Sequence, residues 1–312
     1  MGQKLILYAS YQTGKNLPGY VCFALKHLAE TDFSVVLLTN RRELSQQSLD
    51  FLEEYHIKLY MTENRGYDFG MWKRYLKDLA NQKGERHSFD RIERLLIIND
   101  SIVYFQNKFQ EFIDKAERNS ADVISLTQNN QVHPHLQSFF MYIKQEALGA
   151  FYMHLLETPE QLTFYDVVNK LEIGLSKTFE EAEVQTDALY KISGKKTDIM
   201  LFNYSDLIAQ GAGFIKRKLL QRRFNFDEKV HFIRMGAYDA LNADYHKMIL
   251  KAGIAEDFGK EWLPQPIDSK KQQIIDAIWE KSFQKIGWPL LRAAIKTKYK
   301  ILRKELKGDE YK

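Results

Sequence analysis

The feature that most constrains this chain is a repeated exchange of two hydrophobic patterns along its first half. Short apolar runs read as strands: Leu5-Ile6-Leu7-Tyr8, Phe33-Ser34-Val35-Val36-Leu37-Leu38, Ile57-Lys58-Leu59-Tyr60-Met61, Leu95-Leu96-Ile97-Ile98 and Val123-Ile124-Ser125-Leu126. Between them, apolar residues recur at helical spacing over 21–29, 45–55 and 67–79. Strand and helix in alternation build a mostly parallel sheet covered by helices, so the expected class is α/β. In open sheets of this kind ligands collect beyond the carboxyl ends of the strands. That rule selects Ala9-Ser10-Tyr11, Thr39-Asn40, Glu63-Asn64-Arg65-Gly66 and Asn99-Asp100-Ser101 as one candidate site.

The pattern changes after residue 136. Ser138-Phe139-Phe140-Met141-Tyr142-Ile143 reads as a further strand, and helical patterns dominate from about Gln145. A boundary is expected near residue 225, separating an α/β domain over 1–225 from a helical region over 226–312. With 312 residues there is enough chain for a sizeable core without metals or disulfides. The single cysteine, Cys22, excludes an intramolecular disulfide framework and any multi-cysteine metal site. It points to a reducing compartment, so a cytoplasmic location is expected. Tyr8, Ser10 and Gln12 interrupt the first apolar run, so no secretory segment is expected there. No run approaches the roughly 18–20 apolar residues that a spanning helix needs.

The net charge of +4 is unevenly spread. From Lys281 to Lys312 ten basic side chains face three acidic ones, and the rest of the chain is slightly acidic. Over 281–307, Leu291, Ile295, Tyr299, Leu302 and Leu306 recur at helical spacing among Arg292, Lys296, Lys300, Arg303, Lys304 and Lys307. Such a basic amphipathic helix suits an anionic membrane surface, where each basic residue is worth about 1 kcal/mol. A helix packed on its own domain with a solvated charged face has the same pattern. The basic run is terminal and no recognition motif accompanies it, so a nucleic-acid partner is not expected.

Four segments carry residues suited to chemistry. In Asn99-Asp100-Ser101 a carboxylate follows a buried strand, where it can ligate a metal, bond a ribose or simply close a turn. Glu63-Asn64-Arg65-Gly66-Tyr67-Asp68-Phe69-Gly70 makes a turn into a helix start, which attracts phosphate or hydroxyl-rich ligands. Asp68 is equally suited to capping that helix. Glu172, in Lys170-Leu171-Glu172-Ile173-Gly174, is a general base if it faces the strand ends and a surface glutamate if it does not. His133-Pro134-His135 lacks partners at zinc-site spacing, but His135, Gln137 and Ser138 gather polar groups just ahead of a strand.

In their order these motifs resemble the rhamnan synthesis protein F family. The resemblance rests on 64–73 (Asn64-Arg65-Gly66-Tyr67-Asp68-Phe69-Gly70-Met71-Trp72-Lys73), on Leu96-Ile97-Ile98-Asn99-Asp100-Ser101, on His135-Leu136-Gln137-Ser138-Phe139-Phe140 and on Glu172-Ile173-Gly174-Leu175-Ser176. Asn203-Tyr204-Ser205-Asp206 through Gly213-Phe214-Ile215-Lys216-Arg217 looks like the family's closing motif. The resemblance covers roughly residues 1–225 and implies a bacterial glycosyltransferase of surface-polysaccharide or lipopolysaccharide assembly, moving rhamnose or another deoxysugar. A looser similarity is to the Rossmann-type GT-A fold of inverting glycosyltransferases.

Carried over by position, that similarity makes Glu172 the base and places Asp100, with Ser101, at the Asp-x-Asp site that holds a metal against a nucleotide diphosphate. Asn64, Gly66 and Asp68 match the nucleotide-side loop, and Ser10 lies in the loop after the first strand. His135, Gln137 and Ser138 would orient donor or acceptor sugar. Asn99-Asp100-Ser101 supplies one carboxylate where the wider fold uses two. Either manganese or magnesium on Asp100, or lysines and helix N–H groups, would then neutralise the diphosphate. The implied partners are a nucleotide-sugar donor, a lipid-linked or polysaccharide acceptor, and the inner face of the cell membrane. The alternative is a catalytically silent sugar- or lipid-binding subunit of an assembly complex.

Overall fold

A computed structural model describes residues 2–40, 43–82, 89–130, 133–160, 163–192, 198–203, 206–207 and 210–217. The boundary expected near residue 225, the helical region 226–312 and the basic helix over 281–307 lie outside the described residues. Among the described residues no helix is long and apolar enough to cross a membrane.

The chain opens with β1 (Gln3–Ser10), α1 (Gly19–Ala29), β2 (Ser34–Thr39), α2 (Gln46–Glu54), β3 (Lys58–Met61), α3 (Tyr67–Asn81) and β4 (Ile92–Asn99). It continues through β5 (Ile102–Tyr104), α4 (Phe109–Arg118), β6 (Val123–Asn129), β7 (His135–Leu136), β8 (Phe140–Lys144) and α5 (Gln145–Glu157). Then follow α6 (Phe164–Asp166), a π-helix (Val167–Ile173), α7 (Gly174–Glu181), β9 (Thr186–Tyr190), α8 (Ile199–Phe202) and β10 (Phe214–Lys216).

The main sheet has the order β3-β2-β1-β4-β8-β6-β7, with β9 also paired to β6. The four strands β3, β2, β1 and β4 are mutually parallel, β8 runs against both β4 and β6, and β9 runs with β6. This is the mostly parallel, helix-flanked α/β sheet that the alternating pattern predicts. Its register sets up the site. Ser10 lies opposite Thr39 and Ala9 opposite Asn99, so three strand ends finish together along one edge.

Both faces of the central strands are buried, which is why their sequences read as unbroken apolar runs. Leu5, Leu7 and Ala9 of β1 join Leu95 and Ile97 of β4 beneath Trp72 and Leu76 of α3 and Phe151 and Leu155 of α5. The rings of Tyr104, Phe109, Phe112, Phe140, Tyr190 and Phe214 form a second cluster, with centroids 4.7–6.5 Å apart in neighbouring pairs. The abundant aromatics are therefore spent largely on core packing.

The strand expected from Ser138 begins instead at Phe140, because Ser138 and Phe139 form a turn. β5, β7, β9 and β10 are short strands that no local pattern announced. β5 and β10 pair with each other across more than a hundred residues, Ile102 opposite Lys216 and Tyr104 opposite Phe214.

Two glycines shape the turn before α3. Gly66 sits in the left-handed region (φ 76°) as the N-cap residue, and its carbonyl accepts from the Gly70 N–H at 2.8 Å. A Cβ on Gly70 would lie 2.0 Å from the Arg65 carbonyl oxygen, so only glycine lets the loop close on the helix start. Gly149 of α5, by contrast, has open space around it. Gly70→Ala is expected to destabilise by about 2 kcal/mol or more, and Gly149→Ala to stabilise by about 0.5–1 kcal/mol. Chemical denaturation of the two variants beside the parent chain checks both signs.

Candidate active site

The edge where β1 and β4 end opens into a cavity of about 430 Å³. Its lining includes Ser10, Asn64, Asp68, Asn99, Asp100, Ser101, Gln137, Ser138 and Glu172, together with Lys216 and Arg217. A neighbouring hollow of about 740 Å³ shares Tyr11 and Asn64 with it and adds Asn40, Met61, Thr62 and Glu63 from the ends of β2 and β3. Cavities of this size hold cofactor- or substrate-sized ligands. Two of the residues singled out from the sequence stand outside the lining. Gly66 acts through the turn geometry described above, and His135 is buried, its ring Nδ1 donating to the His133 carbonyl at 2.7 Å.

The turn Asn99-Asp100-Ser101 is knitted into the sheet. The Asp100 N–H donates to the Ala9 carbonyl at 3.1 Å, continuing the β1–β4 ladder by one bond. Asn99 Oδ1 accepts from the Ser101 N–H at 3.1 Å and from the Ser101 hydroxyl at 2.6 Å, and Asn99 Nδ2 donates to Asp68 Oδ2. Asp68 therefore points inward, with its other oxygen accepting from the Phe69 N–H at 3.0 Å. The N-cap residue of α3 is Gly66, so Asp68 is bound in the first turn rather than capping it.

The Asp100 carboxylate is buried, and its Oδ2 accepts from Ser10 Oγ at 3.0 Å and Arg217 Nη1 at 3.2 Å. The Tyr11 backbone N–H adds another bond. The same guanidinium nitrogen donates to the Tyr20 hydroxyl, and the Arg217 N–H donates to the Ser101 carbonyl at 2.8 Å. Burial alone would lower the Arg217 pKa, but the Asp100 charge and Tyr20 more than offset it, so the guanidinium is held charged. A second network runs from Thr127 Oγ1, which donates to Gln137 Oε1 at 2.7 Å, through Gln137 Nε2 to Asp198 at 3.3 Å. Lys216 Nζ lies 3.8 Å from the same Asp198.

Glu172 sits on the π-helix, where one extra residue per turn turns side chains that a regular helix would direct elsewhere. Its Oε1 accepts from the Ser138 N–H at 2.8 Å and from Ser138 Oγ at 2.9 Å. Beneath it, His154 of α5 donates from Nε2 to the Leu171 carbonyl at 3.2 Å, satisfying a backbone group of the widened turn. Burial lowers the His154 pKa and keeps the imidazole neutral for that role.

Arg217, Lys216, Asp198, Tyr20 and His154 were not legible as members of this site. Lys216 and Arg217 stood only inside the closing motif, and contact between Arg217 and Asp100 spans 117 residues.

Burial, with the charges of Glu172 and Asp100 nearby, pushes the Asp68 carboxyl up to about 6 against the hydrogen bond from Asn99. An unfolded Asp ionises near 3.8. Between that value and about 6 the folded chain binds more protons than the unfolded one, so this group makes stability fall as pH rises. Above pH 6 the whole penalty is present. Asp68→Asn removes it at the cost of one of the two hydrogen bonds that the carboxylate accepts. Relative to the parent chain the variant is therefore expected to improve by roughly 1–2 kcal/mol between pH 4 and pH 8, the open cavity screening part of the charge. Near pH 4 the charge contribution vanishes and only the lost hydrogen bond separates the two chains, which paired melting curves at the two pH values would read.

Comparison with known proteins places this geometry in a lineage. A curated relative, uncharacterized protein y4gN of Sinorhizobium fredii, is 27% identical over 172 residues, which cover 53% of this chain and 43% of the relative. The chain thus spans less than half the length of that relative. Among solved structures, the glycosyltransferase GlyE of Streptococcus pneumoniae TIGR4 aligns over 90% of this chain and 64% of its own, at 10% identity and a TM-score of 0.40. A cytidylyltransferase of Leptospira borgpetersenii aligns over 67% of this chain and 93% of its own, at 12% identity and a TM-score of 0.37. Likeness that distant carries nothing about the chemistry of this cavity. The family model described as rhamnan synthesis protein F matches residues 35–255, a span that holds β2 to β10 and every element of the cavity except β1, and the chain belongs to that family.

Proposed function

We propose that the protein is a glycosyltransferase acting on a nucleotide-activated sugar. The observation that carries this reading is the posture of Glu172. Two hydrogen bonds from Ser138 fix its Oε1, and among the described residues Oε2 has no partner, in a cavity that also holds Asp68, Asp100 and Arg217. Membership of the rhamnan synthesis protein F family supports the reaction class, and the adjoining hollow at the ends of β2 and β3 offers room for the nucleotide.

In this reading an acceptor hydroxyl gives its proton to Glu172 Oε2 while its oxygen attacks the anomeric carbon of the donor. The bond from that carbon to the diphosphate oxygen breaks, and the electron pair departs with the diphosphate. One displacement inverts the anomeric centre. Ser138 holds the base in place, Asn64, Asp68 and Ser101 line the donor side, and Gln137, its amide tied to Thr127 and Asp198, shapes the wall beside them. The family favours rhamnose or another deoxysugar as the group moved, and a lipid-linked or polysaccharide acceptor at the inner face of the membrane.

Release of nucleoside diphosphate from a panel of nucleotide sugars tests the assignment. Glu172→Gln is expected to lower turnover by roughly 10²–10⁴-fold while donor binding stays within about threefold, because proton transfer contributes in that range. Near-normal turnover in Glu172→Gln with loss in Asp68→Asn would move the base to Asp68. Donor binding without turnover for any acceptor offered would favour the silent-subunit alternative.

A further inference from the structure

A cavity of this class is expected to meet the diphosphate with a divalent cation held by carboxylates. The residues present do not fit one. Among the described residues no three His, Cys, Asp or Glu side chains gather as a cation site. Asp100, the carboxylate in the expected position, already has its Oδ2 taken by the Ser10 hydroxyl and Arg217, and the Tyr11 N–H also bonds the carboxylate. Asn99 Oδ1 is turned to Ser101, and Asp68 is tied to Asn99 and the Phe69 N–H. A cation on Asp100 would have to share that one carboxylate with a guanidinium already bound to it.

We propose that Arg217 itself supplies the positive charge to the diphosphate, so that donor binding proceeds without a divalent cation. This rests on the nucleotide-sugar reading above. The guanidinium lines the cavity, and among the described residues both of its side-chain bonds run through Nη1. Nε and Nη2 keep their N–H groups for a ligand. That planar fork matches two phosphate oxygens, as an ammonium does not. Asp100 is then a positioning residue: with Tyr20 it fixes the guanidinium, and the paired β5 and β10 bring Lys216 and Arg217 to the cavity. As the glycosyl bond breaks, the electron pair settles on the diphosphate oxygen opposite Arg217, and no proton need be delivered to it. Lys216, in the same lining, adds a second positive charge.

Isothermal titration of the full chain tests this, using five nucleoside diphosphates and the matching nucleosides, in EDTA and in magnesium or manganese. Arg217→Met is the direct variant. Asp100→Asn/Arg217→Met is its partner, because it leaves no unpaired buried carboxylate if the single variant folds poorly. The expected result is diphosphate affinity in EDTA within about twofold of that with metal. Both variants should then lose roughly ten- to a hundredfold in diphosphate affinity, the range of a charge-assisted pair, while nucleoside affinity holds. Arg217→Lys should fall between. Diphosphate binding that requires metal, or that survives in the double variant, would overturn the role of Arg217 and leave the nucleotide-sugar reading standing. Failure of the parent chain to bind any of the five in either condition would overturn that reading and this one together.

Discussion

The site is organised around one buried carboxylate. Asp100 follows β4 at an edge where three strands end, and its burial is costly unless every oxygen lone pair finds a donor. The compensation comes from three directions: Ser10 at the end of β1, the Tyr11 backbone, and Arg217 just after β10. Of these only Arg217 carries a charge, and it arrives by a long excursion of the chain. The pairing of β10 with β5 is therefore not a minor decoration of the sheet edge. It places Arg217 against Asp100 while burying Phe214 in the aromatic cluster, so apolar packing and charge compensation support the same short strand.

A second constraint acts on the opposite wall. Glu172 reaches Ser138 because the segment from Val167 to Ile173 is wound as a π-helix. Such a segment is less favourable than a regular helix, and it persists where neighbours satisfy its displaced backbone groups. His154 does this for Leu171, and Ser176 Oγ accepts from the Leu136 N–H at 3.3 Å, tying the following helix to the strand beside the cavity. The family's Glu172-Ile173-Gly174-Leu175-Ser176 stretch thus holds one residue facing the cavity and others that keep it there. Gly174 has its own reason, since a Cβ there would meet the His154 ring at 3.2 Å.

Several parts of this arrangement were readable from local pattern. The runs at 5–8 and 95–98 lie inside β1 and β4, and that at 33–38 overlaps β2 from Ser34 on, because strands buried on both faces leave an unmistakable apolar signature. The carboxyl ends of β1, β3 and β4 supplied Ser10, Asn64 and Asp100, since that rule needs only strand order; Ser10, expected in the loop after the first strand, is the last residue of β1. Glu172 stood as either a general base or a surface glutamate on its own segment, and the family resemblance chose the base. The residues that pattern could not find are those whose partners lie far along the chain. Nothing local distinguishes Arg217 from other arginines; Asp68 was in view both as a helix cap and as part of the nucleotide-side loop, and only its bond with Asn99 shows which way it points.

What the sequence determined by itself is the layered α/β sheet, the strand-end edge at which the cavity opens, and the family to which the motifs belong. Those follow from periodicity and from short contiguous segments, which act over a few residues. Only the tertiary structure decided which charges meet in the cavity: that Asp100 is paired with Arg217, that Asp68 is buried, with Glu172 and Asp100 nearby, so that its carboxyl is pushed up to about 6, and that Glu172 is braced by Ser138. Electrostatic interaction depends on distance in space and on burial, neither of which is written in the spacing of residues along a chain.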